Sequence, residues 1–455
     1  MPDARSRAAL DTLAGQKKES FVAKKHPNIV YIHSHDTGRF IEPYGYPVST
    51  PNLARFAEQA VVFRNAYCAC PTCSPSRSAL LTGMYPHSAG MLGLAHRGFS
   101  MPDYSRHVVN VLAAAGYETA LAGVQHEAAA RGDTPAWQVI GYDTALSERA
   151  DAHIAAAEYI RRQHEKPFFL AVGFFETHRE FPAVADASTP DRVTVPSGLP
   201  NVPAVRTDFA RYAEMAGILD RKVGTVLDAI DAAGIADDTL VISTTDHGIA
   251  FPFHKCNLTE AGCGVYLMMR GPGGFSGGRT IDALVSQIDV VPTVCELIGI
   301  PIPAHAQGKS FLPLVRGETD RTREHVFCEV NYHAAYEPMR GVRTDRYAYV
   351  KRFDGPRTPV LANVDDGETK SYLLENGWKD AALPDEALFD RLWDPEEKHN
   401  VIADPAYVTV KRELAGAIDR WMRETDDPLL AGPVPAPAGA RINSATDVSP
   451  REPVA

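Results

Sequence analysis

One short segment, residues 73–83 with the sequence CSPSRSALLTG, brings a cysteine and an arginine to the start of an apolar run. If this run is a helix, Arg77 follows Cys73 by about one turn and lies on the same side of it. The backbone N–H groups at a helix N-terminus also favour negative charge. The segment therefore predicts a site at residue 73 that handles an anion. The alternative is a buried cysteine that only precedes a helix.

Further polar residues follow three apolar runs that have the length of buried strands. The runs and the polar residues after them are NIVYIH (28–33) with His35 and Asp36, FFLAVGF (168–174) with His178, and TLVISTT (239–245) with Asp246 and His247. In a parallel sheet, binding sites form outside the carboxyl ends of the strands. We therefore expect these side chains to converge at one edge of a sheet.

The segment at residue 73 resembles the signature of the type I sulfatases, C-x-P-S-R-x-x-x-L-T-G, and all seven of its fixed positions are present. In that family the cysteine is oxidised to formylglycine, and the aldehyde hydrate is the nucleophile. One hydroxyl attacks sulfur and displaces an alcohol or amine, and the other later expels sulfate. The resemblance implies this modification at Cys73, with Arg77 neutralising and orienting the modified side chain.

The resemblance also implies a metal site. It places Asp36, Asp246 and His247, together with residue 73, among the ligands of a divalent cation. His35 stands where the family usually has an aspartate, and whether it is a ligand or only a hydrogen-bond partner stays open. An oxygen-rich ligand set suits Ca²⁺, whereas the imidazoles make Mn²⁺ or another transition ion an alternative.

Three more residues fall where the family binds sulfate. They are His126 in AGVQHEA, His178 in ETHRE and Lys255 in FHKCNL. Histidine is suited to protonating a leaving group near neutral pH. Val124 stands where the family has a lysine, so this chain has one cation fewer than the usual sulfate pocket.

Several stretches look most like the sulfamidase (heparan N-sulfatase) branch of the family, among them STPNLARFA, FRNAY and FPFHKCNL. Sulfamidases cleave an S–N bond on glucosamine, while related bacterial enzymes cleave O-sulfates, and the sequence leaves this choice open. Phosphonate monoester and phosphodiester hydrolases share the nucleophile and also have a single early aspartate with an Asp-His pair. They are the alternative reading within the same superfamily.

Two interpretations from other classes are weaker. Cys68, Cys70 and Cys73 could belong to a zinc-binding module, but only three thiolates are close in sequence and no second pair follows. The substitutions at positions 35 and 124 could instead indicate a protein that binds sulfate esters without cleaving them. The retained Cys73 and Arg77 argue against that interpretation.

The elements that must position these residues alternate between strand and helix, which predicts an α/β fold with a mainly parallel central sheet flanked by helices. The resemblance implies the architecture shared by sulfatases and alkaline phosphatase. After about residue 320, alternating segments predict a smaller α+β subdomain with an antiparallel sheet. The predicted organisation is a flexible leader (1–25), a catalytic domain (26–320), a C-terminal subdomain (321–430) and a loosely ordered Pro/Ala-rich tail (431–455).

The composition of the 455 residues is that of a soluble globular protein, with 45% apolar and 23% charged residues and a net charge of −11. The negative charge argues against binding nucleic acid or an anionic membrane, though not against an anionic substrate in a cationic pocket. No apolar run is long enough to span a bilayer. The absence of a signal-peptide pattern and the odd number of cysteines, seven, predict a cytoplasmic protein.

The expected partners are a small sulfated substrate, a sugar or another sulfate ester or sulfamate, and a formylglycine-generating enzyme. Whether the chain forms a homo-oligomer stays open.

Overall fold

The computed structural model of the chain describes residues 26–147 and 149–454. The predicted leader, residues 1–25, lies outside the described residues. The strands are β1 (Asn28–Ser34), β2 (Val61–Phe63), β3 (Ala66–Tyr67), β4 (Glu118–Gly123), β5 (Thr144–Ser147), β6 (Phe168–Gly173), β7 (Thr239–Thr245), β8 (Leu267–Arg270), β9 (Arg279–Ile281), β10 (Val285–Ser286), β11 (Val326–Tyr332), β12 (Tyr336–Arg343), β13 (Tyr347–Arg352) and β14 (Glu386–Asp390). The α-helices are α1 (Pro51–Ala57), α2 (Cys73–Thr82), α3 (Pro86–Ala89), α4 (Val108–Ala114), α5 (Ala136–Ile140), α6 (Ala152–Ile160), α7 (Thr189–Arg192), α8 (Pro203–Ala232), α9 (Glu260–Cys263), α10 (Val290–Ile298), α11 (Leu312–Arg316), α12 (Glu368–Glu375) and α13 (Val408–Glu424).

An eight-stranded sheet with the order β5-β4-β6-β1-β7-β8-β2-β9 forms the centre of the fold. The five strands from β5 to β7 are parallel to one another, and β8 runs antiparallel to both of its neighbours. Strands β1 and β7 are buried along their whole length, as central parallel strands covered by helices must be. The predicted mainly parallel α/β sheet is confirmed.

Alternate residues of β1 face opposite layers of helices. Ile29 and Tyr31 belong to an apolar cluster shared with α2 and α10, whereas Val30 and Ile32 belong to a cluster shared with α8. The period-two alternation of a strand therefore holds helices on both faces of the sheet. Helix α8 is 30 residues long but apolar on one side only, and no helix among the described residues is long and apolar enough to cross a membrane.

A second sheet, β11-β12-β13-β14, is antiparallel throughout. Helix α13 packs on it through Leu414, Ile418 and Trp421, which share an apolar cluster with Val342 and Leu388 of the strands. The antiparallel sheet that the sequence predicts after about residue 320 is therefore confirmed. The domain boundaries at residues 320 and 430 stay predictions.

The tail differs from its prediction. The expectation that the residues from 431 onward are loosely ordered is wrong for residues 431–454, because this segment is bonded to the rest of the protein. Arg97 donates to the carbonyl oxygens of Arg441 (3.2 Å) and Pro450 (2.8 Å) and to the side chain of Asn443 (2.8 Å), which is buried. One guanidinium thus satisfies three acceptors of a chain that lacks regular secondary structure.

Candidate active site at the ends of the central strands

The ends of β1 and β7 lie side by side, because Ser34 is paired with Thr245 in parallel register. The residues that follow these strands therefore meet, and the backbone N–H of Asp36 donates to Asp246 Oδ1 at 2.8 Å. Asp36 has a φ of +50°, in the left-handed region that aspartate tolerates better than most residues. This turn orients the backbone N–H of Asp36, after β1, toward the carboxylate of Asp246, after β7.

Cys73 is the first residue of α2, and its sulfur points into the same cluster. Its Sγ lies 3.4 Å from His247 Nε2 and 4.0 Å from Asp36 Oδ1, and the residue is 1% exposed. Burial raises the pKa of the Cys73 thiol well above its ordinary value, and Lys255 only partly opposes this effect. An unmodified cysteine here stays protonated, and a thiol is a poor nucleophile compared with a thiolate.

Arg77 lies one turn along α2 and is fully buried. Its Nη2 donates to Asp246 Oδ2 at 2.9 Å and to the backbone oxygen of Ser34 at 2.8 Å, and its Nη1 contacts His33. Burial opposes the charge of Asp246, but Arg77 and then His247 outweigh it and hold the pKa of this carboxyl below its ordinary value. Arg77 therefore holds Asp246 in place and keeps it ionised. The hydrogen bonds of Arg77 go to His33, Ser34 and Asp246, so its effect on residue 73 is electrostatic.

The donor atoms of His35, Asp36, Cys73 and Asp246 all lie within 4.8 Å of one another. His247 adds a nitrogen, Nε2, at 3.3 Å from Asp36 Oδ1 and 3.6 Å from Asp246 Oδ2. Such a set of carboxylate oxygens and imidazole nitrogens, taken from three separate segments, fits a divalent cation.

His35 strengthens this fit. The residue is 1% exposed, and neither of its ring nitrogens has a hydrogen-bond partner among the described residues. A buried polar atom without a partner is costly, and a ligand commonly accounts for one. Burial, and then Arg77 and the neighbouring histidines, hold the pKa of His35 well below its ordinary value. The ring is therefore neutral and keeps a lone pair for coordination.

Lys255 bridges the two parts of the fold. Its Nζ lies 3.0 Å from Asp36 Oδ2 and 3.0 Å from Asp365 Oδ2, a residue of the predicted C-terminal subdomain. Burial disfavours the charge of Lys255, but Asp36 and Asp365 outweigh it and raise the pKa of the ammonium above its ordinary value. The lysine therefore carries a positive charge at the edge of the donor cluster.

The two remaining predicted histidines also lie at this cluster. His178 Nε2 is 3.9 Å from Asp36 Oδ2. A ring nitrogen of His126 lies within 4.8 Å of donor atoms of His35 and Cys73. All nine site residues that the sequence predicts are thus brought together, whereas their roles in catalysis stay predictions.

Three polar residues at the site are absent from the sequence prediction. Asp365 contacts Lys255 as described, His96 Nδ1 lies 2.8 Å from His126 Nε2, and His333 Nδ1 lies 3.1 Å from the Thr72 hydroxyl beside Cys73. They lie in a loop, in a short 3-10 turn and just after a strand end, and only the folded chain brings them to the cluster.

The zinc interpretation is not supported. Within the part of the chain that the structure describes, the donor groups close enough to hold an ion include Cys73 but neither Cys68 nor Cys70. Cys328 instead donates to the backbone oxygen of Cys68 at 3.2 Å, on the side of the chain that faces the C-terminal sheet. The three cysteines of the CxCxxC pattern therefore do not converge.

Comparison with protein families gives two matches. The family model described as "Sulfatase" matches residues 27–300, more than half of the chain. The model described as "N-sulphoglucosamine sulphohydrolase, C-terminal" matches residues 246–368, a range that includes Lys255 and Asp365. The second match thus covers the two residues whose contact links the central sheet to the later part of the chain.

Two individual proteins named as a sulfohydrolase and a sulfatase are also similar to the chain over most of its length. The chain is similar to N-sulphoglucosamine sulphohydrolase of Homo sapiens, with 29% identity over 85% of this chain and 88% of that protein. It is also similar to an ulvan-active sulfatase of Formosa agariphila, with 28% identity over 95% and 88% of the two chains.

Solved structures share the fold. One, described as a 2-O GAG sulfatase, has a TM-score of 0.69 at 19% identity and covers 94% of this chain and 99% of that chain. Another, solved in complex with its substrate D-glucosamine-2-N,6-O-disulfate, has a TM-score of 0.66 at 17% identity and covers 88% and 98%.

Proposed function

The chain belongs to the sulfatase family, and from that premise we propose that it is a metal-dependent hydrolase of sulfated sugars that uses formylglycine at residue 73. The family and its named relatives make the chain a sulfate ester or sulfamate hydrolase. The observation that carries the finer proposal is the placement of the Cys73 side chain among the donor atoms of His35, Asp36 and Asp246, all within 4.8 Å of one another.

Formylglycine at residue 73 would supply, as its hydrate, the hydroxyl that attacks sulfur. The residues around it hold this group in place. His247 Nε2 lies 3.4 Å from the side chain of residue 73, within reach of a hydrogen bond to it. Arg77 keeps Asp246 ionised beside it. The position of residue 73 at the N-terminus of α2 further favours negative charge there.

Asp36, Asp246, His247 and His35 would hold a divalent cation, Ca²⁺ or, given the two imidazoles, Mn²⁺. A bound cation would supply a Lewis acid for the sulfate oxygens and would favour ionisation of the neighbouring hydroxyl. The carboxylates of Asp36 and Asp246 are already oriented by a backbone N–H and by a guanidinium. They therefore need little reorganisation to bind it.

Lys255 and His178 lie on the same side of Asp36, where they can receive the anionic sulfate group. His126 lies within 4.8 Å of residue 73 and is placed to give a proton to the departing oxygen or nitrogen. The similarity to N-sulphoglucosamine sulphohydrolase favours an amino sugar carrying an N-sulfate, and the ulvan-active relative favours an O-sulfated sugar. The substrate class we propose is a sulfated sugar, with either linkage.

A phosphonate monoester or phosphodiester hydrolase is the second candidate. The observation that favours it is the single carboxylate at the end of β1, Asp36 preceded by His35, opposite the Asp246-His247 pair. A panel of sulfate, sulfamate, phosphonate and phosphodiester substrates separates the two functions by kcat/KM.

The modification itself is directly testable. Trypsin releases residues 65–77, NAYCACPTCSPSR, which contain Cys68, Cys70 and Cys73. In protein made with a formylglycine-generating enzyme, we expect a product about 18 Da lighter than the thiol peptide, because CH₂SH becomes CHO. This product takes up two alkyl groups instead of three when thiols are alkylated, and fragmentation should place the change at residue 73. Fully active protein whose peptide takes up three alkyl groups would refute the mechanism.

The role of His35 predicts a change of metal preference. His35→Asp adds a carboxylate to the donor cluster, so we expect it to bind Ca²⁺ about tenfold more tightly than the wild type, because charged oxygen ligands set Ca²⁺ affinity. Its preference for Mn²⁺ over Ca²⁺ should fall accordingly. Metal titrations followed by thermal shift, with elemental analysis, measure both changes without an activity assay.

His107→Asp is the matched control. His107 is buried and caps α4 by accepting the N–H of Val109, a role that aspartate also performs. This variant adds the same charge away from the donor cluster and should bind both ions as the wild type does. Equal Ca²⁺ affinity of the wild type and His35→Asp would mean that His35 is not a metal ligand.

A further inference from the structure

Three imidazoles form a row that runs from the surface to the donor cluster. His96 is exposed, His126 is half-buried and His35 is buried. The rings of His96 and His126 are stacked, with centroids 5.0 Å apart and an angle of 18° between planes, and those of His126 and His35 are 5.7 Å apart. The row therefore links bulk solvent to the position of residue 73.

A hydrogen bond joins the two outer members of this row. His96 Nδ1 and His126 Nε2 are 2.8 Å apart, so one of them carries the shared proton. The other nitrogen of His126, Nδ1, is buried and has no hydrogen-bond partner among the described residues. Nδ1 is therefore the ring nitrogen that can form a hydrogen bond to a group bound at residue 73. A proton that His96 Nδ1 donates to His126 Nε2 leaves the proton of the His126 ring on Nδ1.

The geometry fits a proton-passing pair. In a neutral imidazole one ring nitrogen is a donor and the other is an acceptor. The 2.8 Å contact between His96 Nδ1 and His126 Nε2 therefore joins a donor of one ring to an acceptor of the other, which is the arrangement that can pass a proton along a hydrogen bond.

The loop of His96 is held firmly. Arg441 donates to the backbone oxygen of His96 at 2.6 Å, and Arg97 is bonded to the tail at Asn443 and Pro450. These contacts fix the backbone of residues 96 and 97, and the hydrogen bond between His96 Nδ1 and His126 Nε2 positions the ring itself.

We propose that His96 is a proton-relay residue that positions and reloads His126 as the acid for the leaving group; this rests on the proposed sulfatase function. When the bond from sulfur to oxygen or nitrogen breaks, its electron pair stays on the leaving atom, which takes the proton from His126 Nδ1. His126 Nε2 takes the Nδ1 proton of His96, and His96 Nε2 takes a proton from a water or buffer acid. Each ring gives one proton and gains one. Both rings recover their starting tautomers when a proton released at residue 73 during the expulsion of sulfate is taken up by His126 Nδ1, His126 Nε2 returns its proton to His96 Nδ1, and His96 Nε2 releases one to solvent.

The test compares leaving groups. 4-Nitrophenyl sulfate has a leaving group that needs no proton, whereas an alkyl sulfate or a sulfamate does need one. We expect His96→Ala to lower kcat for the alkyl sulfate or sulfamate by about 10–100-fold, which is at or below the lower limit of what direct acid catalysis contributes, because His96 acts through His126. Its kcat for 4-nitrophenyl sulfate should change less than about threefold, with KM unchanged for both.

Two further measurements separate relay from simple support. His96→Asn keeps a hydrogen-bonding atom near the place of Nδ1 but cannot accept and pass on a proton, so it should lose as much as His96→Ala. Added imidazole should restore activity of His96→Ala on the poor leaving group, because position 96 is exposed. His399→Ala, which removes an exposed imidazole elsewhere, should behave as the wild type in every assay.

Equal losses on both leaving groups, full activity of His96→Asn, or no rescue by imidazole would each overturn the relay while leaving the sulfatase function intact. A wild type that cleaves neither sulfate esters nor sulfamates, with its formylglycine and metal content confirmed, would overturn both proposals.

Discussion

Asp246→Ala is expected to lose the metal and to lower kcat/KM by about a thousandfold or more, because a metal Lewis acid lowers the activation barrier by several kcal/mol. Asp246 is a shared partner in the donor cluster. Its Oδ1 accepts the N–H of Asp36, and its Oδ2 accepts Nη2 of Arg77. Its removal therefore takes away one proposed ligand and also loosens another, Asp36. Elemental analysis and kcat/KM on the best substrate, measured on the same preparation, check this result.

Loss of stability must be separated from loss of metal. Asp246→Ala removes the carboxylate that pairs with the buried Arg77, which costs about 3–5 kcal/mol in the free energy of unfolding. Asp289→Asn breaks a different buried ion pair, that of Asp289 with Arg323, and serves as the matched control. It should lower the stability but keep the metal. Full metal occupancy in folded Asp246→Ala would refute the ligand assignment.

Lys255→Ala is expected to lower kcat/KM by about 10²–10³-fold, the usual cost of removing one well-placed electrostatic stabiliser. The ammonium separates Asp36 from Asp365 by contacts of 3.0 Å to each, and its loss leaves two carboxylates facing one another. Val124 supplies no charge where the family has a lysine. We therefore expect Lys255 to carry a larger share of the interaction with sulfate than it would in a pocket with both cations.

The chain offers a close control for this experiment. Lys370 is also buried, with Nζ 2.8 Å from Asp366 Oδ1 and 2.7 Å from the backbone oxygen of Val364. Lys370→Ala should lower the stability but keep kcat/KM. If Lys255→Ala, with metal and formylglycine contents equal to the wild type, loses less than about fivefold in kcat/KM, the ammonium does not contact the sulfate.

Much of this site could be predicted because its residues sit at fixed distances from recognisable local signals. Strand β1 ends two residues before Asp36, and β7 ends one residue before Asp246. The strand pattern alone therefore predicts the sheet edge at which these two carboxylates meet. Cys73 and Arg77 lie on one helix, where spacing determines relative position.

Other parts depend on contacts between residues far apart in sequence. Asp365 reaches Lys255 from 110 positions away, and His96 meets His126 across 30. No local pattern distinguishes either residue from an ordinary polar loop residue. The ordered tail was missed for a related reason. Its Pro and Ala composition predicts little intrinsic structure, and the stabilising partner, Arg97, lies more than 340 positions earlier in the chain.

The burial of residue 73 sets an order of events for the proposed modification. In the folded chain this side chain is 1% exposed and is enclosed by segments that follow distant strands. Another enzyme cannot bind the residues on both sides of it without unfolding α2 from the sheet. We therefore expect the proposed conversion to precede folding, and a chain that folds first to keep its thiol. The active fraction of a preparation should then depend on how much modifying enzyme is present before the chain folds.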